Sequence, residues 1–112
     1  MDIEQFKQKR KQLNQVKADN DTFIKQFGEL DDNIYYEGDI PKKYKELAGI
    51  SISIVSKCNE CILYHIQNCI NEKCTKQEII EAIKLGVIGG GSVCYPFARF
   101  AFETLRILKV VV

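Results

Sequence analysis

The chain has 112 residues, the usual length of one domain, and 46% of them are hydrophobic, which is enough for a small core. Its net charge of +1 gives no electrostatic basis for binding nucleic acid or an anionic membrane. The N-terminus has no basic segment followed by an apolar run, and no apolar stretch approaches the length of a membrane span. We therefore expect neither a signal peptide nor a transmembrane helix.

Helix-forming residues dominate and strand-like alternation is scarce, so the sequence predicts an all-α fold. The first predicted helix covers residues 2–27 and ends at Gly28, a plausible C-cap. It either packs on the rest of the domain or forms an arm that packs on another subunit. Its apolar residues recur every three or four positions: Ile3, Phe6, Leu13, Val16, Phe23, Ile24 and Phe27.

A polar connector over residues 28–40 is predicted to lead to a second helix over 41–56, with Pro41 in its first turn. Residues 50–55 alternate like a strand, but a lone strand in a helical chain has no partner, so we predict helix there. Glu46 lies in this helix. Lysines surround it in the sequence, and the simplest interpretation of the local pattern is a solvated charge.

The next predicted helix begins at Cys58 and continues to about residue 73. Cys58, Cys61 and His65 form the pattern C-x-x-C-x-x-x-H, and His65 is the only histidine of the chain. Residues three or four apart share a helix face, so the two sulfurs lie within bonding range and the imidazole can reach Cys61. The unpaired N–H groups of a first helical turn favour a thiolate. The motif therefore predicts a reversible disulfide with a base beside it.

A metal site is the main alternative for this motif. Cys69 lies on the same stripe and would complete a set of four ligands with Cys58, Cys61 and His65. One straight helix does not easily place four ligands tetrahedrally around one ion, so we favour redox chemistry and predict no metal. A third interpretation treats the cysteines as ordinary core residues.

Two further helices are predicted after the motif. Thr75 and Glu78 form a capping box that begins a helix, and this helix is apolar nearly all round and therefore central. The glycines at 89–91 end it. The last helix covers about 92–108, with Pro96 in its first turns and Cys94 as a small core residue. The five cysteines, an odd number that includes a C-x-x-C pair, indicate a reducing cytoplasm.

Glu46 is separated by eleven residues from the motif C-x-x-C-x-x-x-H, which begins at Cys58. In this pattern the chain resembles the carboxymuconolactone decarboxylase family and, within it, the alkylhydroperoxidase D-like (AhpD-like) branch. The resemblance covers about residues 40–108 and includes the helix after Glu78 and the glycines at 89–91. One position departs from the pattern. Better-known members often carry a second histidine between the cysteines, where this chain has Glu60.

The resemblance implies an AhpD-like helical bundle, a single small domain of about five helices spanning residues 1–112. It also implies a homotrimer or homohexamer, a thiol peroxidase or disulfide reductase site, and no cofactor. We assign Cys61 as the sulfur that attacks a small hydroperoxide, because it shares a helix face with His65, and Cys58 as the resolving thiol. The helix dipole alone would favour the more N-terminal Cys58 as the thiolate, which leaves the opposite order open. His65 would take the proton from Cys61, and Glu46 would orient His65 or relay through it. An external dithiol, a lipoyl-protein or a thioredoxin-like donor, would reset the disulfide.

Two other functions fit the sequence. Lactone or decarboxylation chemistry follows from the family name, although members with that chemistry typically lack the C-x-x-C dithiol. A non-catalytic redox-sensing module, in which the disulfide changes assembly, is the second.

Overall fold

Helices make up most of the computed structural model, which describes residues 3–108 and their side chains except those of residues 16–20. The six α-helices are α1 (Ile3–Asn20), α2 (Thr22–Tyr35), α3 (Lys42–Val55), α4 (Asn59–Asn71), α5 (Lys76–Gly90) and α6 (Tyr95–Ile107). A short 3-10 helix, Ser92–Cys94, precedes α6. The described part of the chain contains no strand, and the predicted all-α fold is confirmed.

The N-terminal region differs from the sequence prediction, because it forms two helices where one was expected. The break falls at Asp21, whose carboxylate accepts hydrogen bonds from the backbone N–H groups of Phe23 and Ile24 and so caps α2. Gly28 is not a C-cap, because α2 continues through it to Tyr35. The predicted connector over 28–40 was therefore too long. The side chain of Val16, part of the predicted stripe, lies outside the described residues.

The chain divides between Tyr36 and Glu37 into two compact units. In the first unit α1 contacts α2. In the second, α3 packs against α4 and α5, and both of these contact α6. The isoleucines at the centre of this second unit are fully buried, and each contributes about 1.5–3 kcal/mol through burial. They are Ile50, Ile54, Ile62, Ile66, Ile79 and Ile83.

The helices of the second unit follow the sequence prediction closely. Residues 50–55 are helical, the capping box of Thr75 and Glu78 is formed, and Pro96 lies in the first turn of α6. Helix α5 contacts both α3 and α6, as its predicted central position requires, but it is not buried on every side, because Leu85 and Ile88 are largely exposed. None of the helices in the described ranges combines the length and hydropathy that crossing a membrane requires.

Candidate functional site

Hydrogen bonds in the turn between α3 and α4 fix the position of Cys58. After α3, the backbone N–H of Lys57 bonds to the carbonyl of Ile54, and that of Cys58 bonds to the carbonyl of Ser53. This is the hydrogen-bond pattern of a Schellman motif, with Lys57 in the left-handed conformation at φ 57°. The chain therefore passes from one helix to the next in a short, fully hydrogen-bonded turn.

Cys58 is the N-cap of α4. Its backbone is extended, at φ −118° and ψ 100°, and its sulfur accepts a hydrogen bond of 3.2 Å from the backbone N–H of Cys61. A serine or aspartate usually makes this contact at a helix N-terminus. Because an N–H group and the positive end of the helix dipole both face the sulfur, a thiolate on Cys58 would be stabilised in the reduced protein.

Cys58 and Cys61 are joined in a disulfide, with their Cα atoms 5.3 Å apart. Both residues are partly exposed to solvent. The other three cysteines, Cys69, Cys74 and Cys94, are free thiols and are buried. Burial is the main factor that raises the pKa of Cys69 and of Cys74, which keeps these thiols protonated and unreactive. The disulfide thus joins the two cysteines of the C-x-x-C motif, and the other three cysteines lie in the interior.

His65 lies four residues after Cys61 on the same face of α4, and it is only 8% exposed. Its Nδ1 is 3.0 Å from Oε2 of Glu46, which reaches it from α3. An ionised carboxylate only accepts hydrogen bonds, so Nδ1–H is the donor. In the neutral imidazole this tautomer makes Nε2 the acceptor nitrogen, as a base for the Cys61 thiol requires.

Glu46 is 1% exposed, so the interpretation of it as a solvated charge was wrong. Burial alone would raise the pKa of the Glu46 carboxyl. Hydrogen bonds from His65 and Asn68, together with the positive charge of Lys42, outweigh burial and hold the pKa below its ordinary value of 4.5. The Lys42 ammonium lies 3.7 Å from Oε1. Glu46 is therefore a buried anion at neutral pH.

Sequence reasoning missed three residues around this pair: Lys42, Asn68 and Gly49. Lys42 was grouped with the surface lysines, although it precedes Glu46 by one helical turn. Asn68 follows His65 by three residues, a spacing that places both on one face of α4. A glycine inside a helical pattern, such as Gly49, signals close approach of another group, and this signal was present in the sequence.

The metal alternative finds no support in the described side chains. Among them, no group of three or more histidine, cysteine, aspartate or glutamate residues is arranged to hold an ion. Two of the four residues considered as ligands, Cys58 and Cys61, form the disulfide instead.

Glu46→Gln is expected to lower the free energy of unfolding at pH 7 by about 1.5–3 kcal/mol, the range for a hydrogen bond to a charged group. The folded-state pKa of Glu46 lies below its unfolded value. Its stabilisation is therefore complete above the unfolded pKa and is lost as the pH falls through the folded pKa. Chemical denaturation of both proteins from pH 7 down to pH 3 should show the two stabilities converging below about pH 4.5.

Glu81→Gln provides the control, since it removes one exposed carboxylate from α5. A stability difference between wild type and Glu46→Gln that stays constant from pH 7 to acid would contradict the assignment of a buried Glu46 anion.

Comparison with known proteins agrees with the fold. The sequence profile of the carboxymuconolactone decarboxylase family matches residues 21–102. A family protein from Thermotoga maritima, for which involvement in an antioxidative response has been suggested, has a similar crystal structure. The TM-score is 0.88 at 34% identity, covering 94% of this chain and 90% of that one. A family protein from Legionella pneumophila gives a TM-score of 0.79 at 25% identity, with 89% of both chains covered.

The curated relatives are more distant. An uncharacterised protein from Cupriavidus necator is 25% identical over 69 residues, which are 62% of this chain and 58% of that protein. The chain spans less than two thirds of the length of the curated relatives it matches.

Proposed function

The chain belongs to the carboxymuconolactone decarboxylase family, and from this premise we propose that it is a thiol-dependent peroxidase of the AhpD-like type. In this proposal Cys58 and Cys61 reduce a small hydroperoxide, and His65 with Glu46 handles the proton. The reducing cytoplasm is the compartment in which such a dithiol is regenerated. The suggested antioxidative role of the similar Thermotoga maritima protein supports the same assignment.

One observation carries the proposal. A partly exposed cysteine pair at a helix N-terminus lies one helical turn from a buried histidine, and that histidine is held by a buried carboxylate. A nucleophile, a base and a group that orients the base are the elements of an activated thiol. Lactone chemistry has no use for the second thiol, whereas a two-thiol peroxidase needs both.

The first chemical step is attack of the Cys61 thiolate on the terminal, hydroxyl-bearing oxygen of the hydroperoxide. A sulfur–oxygen bond forms, the oxygen–oxygen bond breaks, and Cys61 becomes a sulfenic acid while the alkoxide takes up a proton. His65 removes the proton from the Cys61 thiol through Nε2 and returns it to the departing alkoxide. Cys61 loses two electrons and the peroxide gains them.

The second step closes the disulfide. Cys58 attacks the sulfur of the Cys61 sulfenic acid, the sulfur–sulfur bond forms, and water leaves. Its N-cap position favours the Cys58 thiolate, which is the form that attacks. The resulting disulfide is the state of the pair described above. An external dithiol, either a lipoyl-protein or a thioredoxin-like protein, then reduces it by thiol–disulfide exchange.

A peroxide consumption assay with dithiothreitol as the reductant tests the proposal. We expect turnover of an organic hydroperoxide that depends on both protein and dithiol. A muconolactone substrate serves as the comparison, since ring or decarboxylation chemistry would consume it without any dithiol. Absence of turnover with either substrate, together with a reversible disulfide, would favour a redox-sensing module instead.

We also propose that the protein is a homo-oligomer, a trimer or hexamer by family resemblance. Four large side chains on α2 are spaced by three or four residues and form one stripe. They are between 63% and 70% exposed in the single chain, and no residue of α2 is buried. These side chains, the α2 stripe, are Phe23, Phe27, Leu30 and Ile34. A contiguous exposed apolar stripe of this kind is typical of an interface.

The double substitution Phe23→Ser and Phe27→Ser is expected to dissociate the oligomer, because truncating a central apolar anchor commonly costs about 2 kcal/mol or more. Both side chains are exposed, so the fold of the chain should persist. Gln26→Ser, also exposed on α2, is the matched control. Light scattering should show a smaller particle for the double variant only. A wild-type monomer at micromolar concentration would refute the oligomer.

A further inference from the structure

The inference concerns the place where α3 crosses α4. Glu46 and Gly49 are three residues apart on α3, and His65 and Asn68 are three residues apart on α4, so each pair shares a helix face. The two faces meet, because the carboxylate of Glu46 receives hydrogen bonds from both His65 and Asn68. The imidazole of His65 therefore lies directly beside the backbone of α3.

Gly49 is the residue that makes room for this ring. A Cβ atom added at Gly49 would lie 2.5 Å from Nδ1 of His65 and 2.7 Å from each of the ring atoms Cγ and Cε1. Real Cβ atoms essentially never approach other atoms within 3.0 Å. These three atoms are consecutive in the ring and form its Nδ1 edge, so this edge of the imidazole faces the Gly49 backbone.

Backbone conformation does not account for a glycine here. Gly49 lies inside the regular helix α3, and Gly91 is the only glycine with a positive φ in the described part of the chain. Glycine inside a helix lowers stability relative to alanine, since it has more freedom to lose on folding. The close approach of the imidazole is the physical reason for a glycine at this position.

We propose that Gly49 is a positioning residue for His65. Its missing side chain lets the imidazole lie against α3 with Nδ1 on Glu46, which fixes the direction of Nε2. Any other residue at this position displaces the ring. The inference rests on the proposed function, because the ring that Gly49 positions is the base assigned there. The position of the His65 ring against Gly49 can be measured without any enzymatic activity.

Nuclear magnetic resonance of the imidazole provides that measurement. The chain has one histidine, so the ring nitrogen signals belong to His65 without further assignment. We expect the wild type to show the tautomer protonated on Nδ1, and Gly49→Ala to shift both nitrogen resonances and lose this single tautomer. Wild-type nitrogen signals in a folded Gly49→Ala protein would overturn the proposal.

Gly86→Ala is the matched control. Gly86 is also a buried glycine inside a helix, and its added Cβ would lie 2.6 Å from Cβ of Ile54, in the core. The conflict is thus of the same size but does not involve the imidazole. We expect Gly86→Ala to lower the melting temperature while leaving the His65 resonances in place. Resonances displaced equally by both substitutions would mean a general packing effect and would overturn the specific role.

Peroxidase kinetics provide the functional measurement. Displacing a reacting group by about 1 Å can cost about 10²-fold in rate, and we expect a loss of this size in kcat for Gly49→Ala. Its pH profile should change as well, because the base is displaced. The folded fraction of Gly86→Ala should keep the wild-type dependence of the peroxidase rate on pH. If the wild type itself consumes no peroxide, the proposed function fails, whereas the resonance measurement still decides the role of Gly49.

A double variant covers the case in which Gly49→Ala does not fold. Removing the ring with His65→Ala removes the atoms with which the new methyl group collides. In the His65→Ala background, Gly49→Ala should raise the melting temperature, since alanine favours the helix. A lower melting temperature of the double variant than of His65→Ala alone would overturn the proposal, because the conflict would then lie elsewhere.

Discussion

Replacing Cys61 by serine is expected to abolish peroxide reduction, both in steady state and in the first turnover. A serine hydroxyl at this position does not become a nucleophile at neutral pH, so no sulfenic acid forms. The substitution removes one partly exposed sulfur and should leave α4 intact. Stopped-flow measurement of peroxide consumption by the pre-reduced variant should show no burst above the uncatalysed rate.

Cys58→Ser should behave differently, because Cys58 acts only in the second step. Serine is a good N-cap, so α4 keeps its first hydrogen bond and the fold is retained. We expect one burst of peroxide consumption followed by no turnover, with a sulfenic acid on Cys61 that a dimedone reagent traps. Cys94→Ala, which removes a buried thiol outside the motif, should keep full turnover.

The reverse pattern would exchange the two roles. If Cys58→Ser loses the burst and Cys61→Ser retains it, then Cys58 attacks first. The hydrogen bond from Cys61 N–H to the Cys58 sulfur and the helix dipole would then outweigh the proximity of His65 to Cys61.

His65→Gln is expected to reduce the peroxidase rate at neutral pH by about 10²–10⁴-fold, the usual contribution of a positioned acid–base group. The glutamine amide donates to Glu46 as Nδ1–H does, so the buried carboxylate keeps a partner and the protein should fold. The Cys61 thiol should also titrate at higher pH in the variant. Thiol alkylation rates measured across pH give this titration directly.

Glu60→Gln is a control that should shift the titration of the Cys61 thiol in the opposite direction, to lower pH. It removes a negative charge beside Cys61 in the first turn of α4, which should make the thiolate slightly more stable. If His65→Gln changes neither the peroxidase rate nor the thiol titration, His65 is a structural residue and the proton relay is wrong.

Much of the fold could be predicted from the sequence, because apolar residues in the second unit repeat with the period of a helix. Thr75 and Glu78 marked the start of α5 by a local hydrogen-bond pattern that needs no tertiary information. Asp21 was missed, although it is equally local. Apolar residues continue on both sides of it, and this continuity concealed the break between α1 and α2.

The burial of Glu46 could not be deduced from its own surroundings. Its partner His65 is 19 residues away in sequence and reaches it only because α3 packs on α4. Family resemblance directed attention to Glu46, whereas the local pattern of lysines indicated a solvated charge. Gly49 could be noticed as a glycine inside a helical pattern, but its partner could not be predicted, since the ring that fills its space comes from another helix. The role of a residue that contacts another helix can be predicted only when the packing of the two helices is known.

The most direct test of the central claim is a single-turnover experiment on the reduced protein without external dithiol. The account predicts that each chain consumes one equivalent of an organic hydroperoxide. Peptide mass mapping should then find one new disulfide between Cys58 and Cys61, with Cys69, Cys74 and Cys94 still reduced. Peroxide consumption without formation of that disulfide, or a disulfide between Cys69 and Cys74 in its place, would contradict the account.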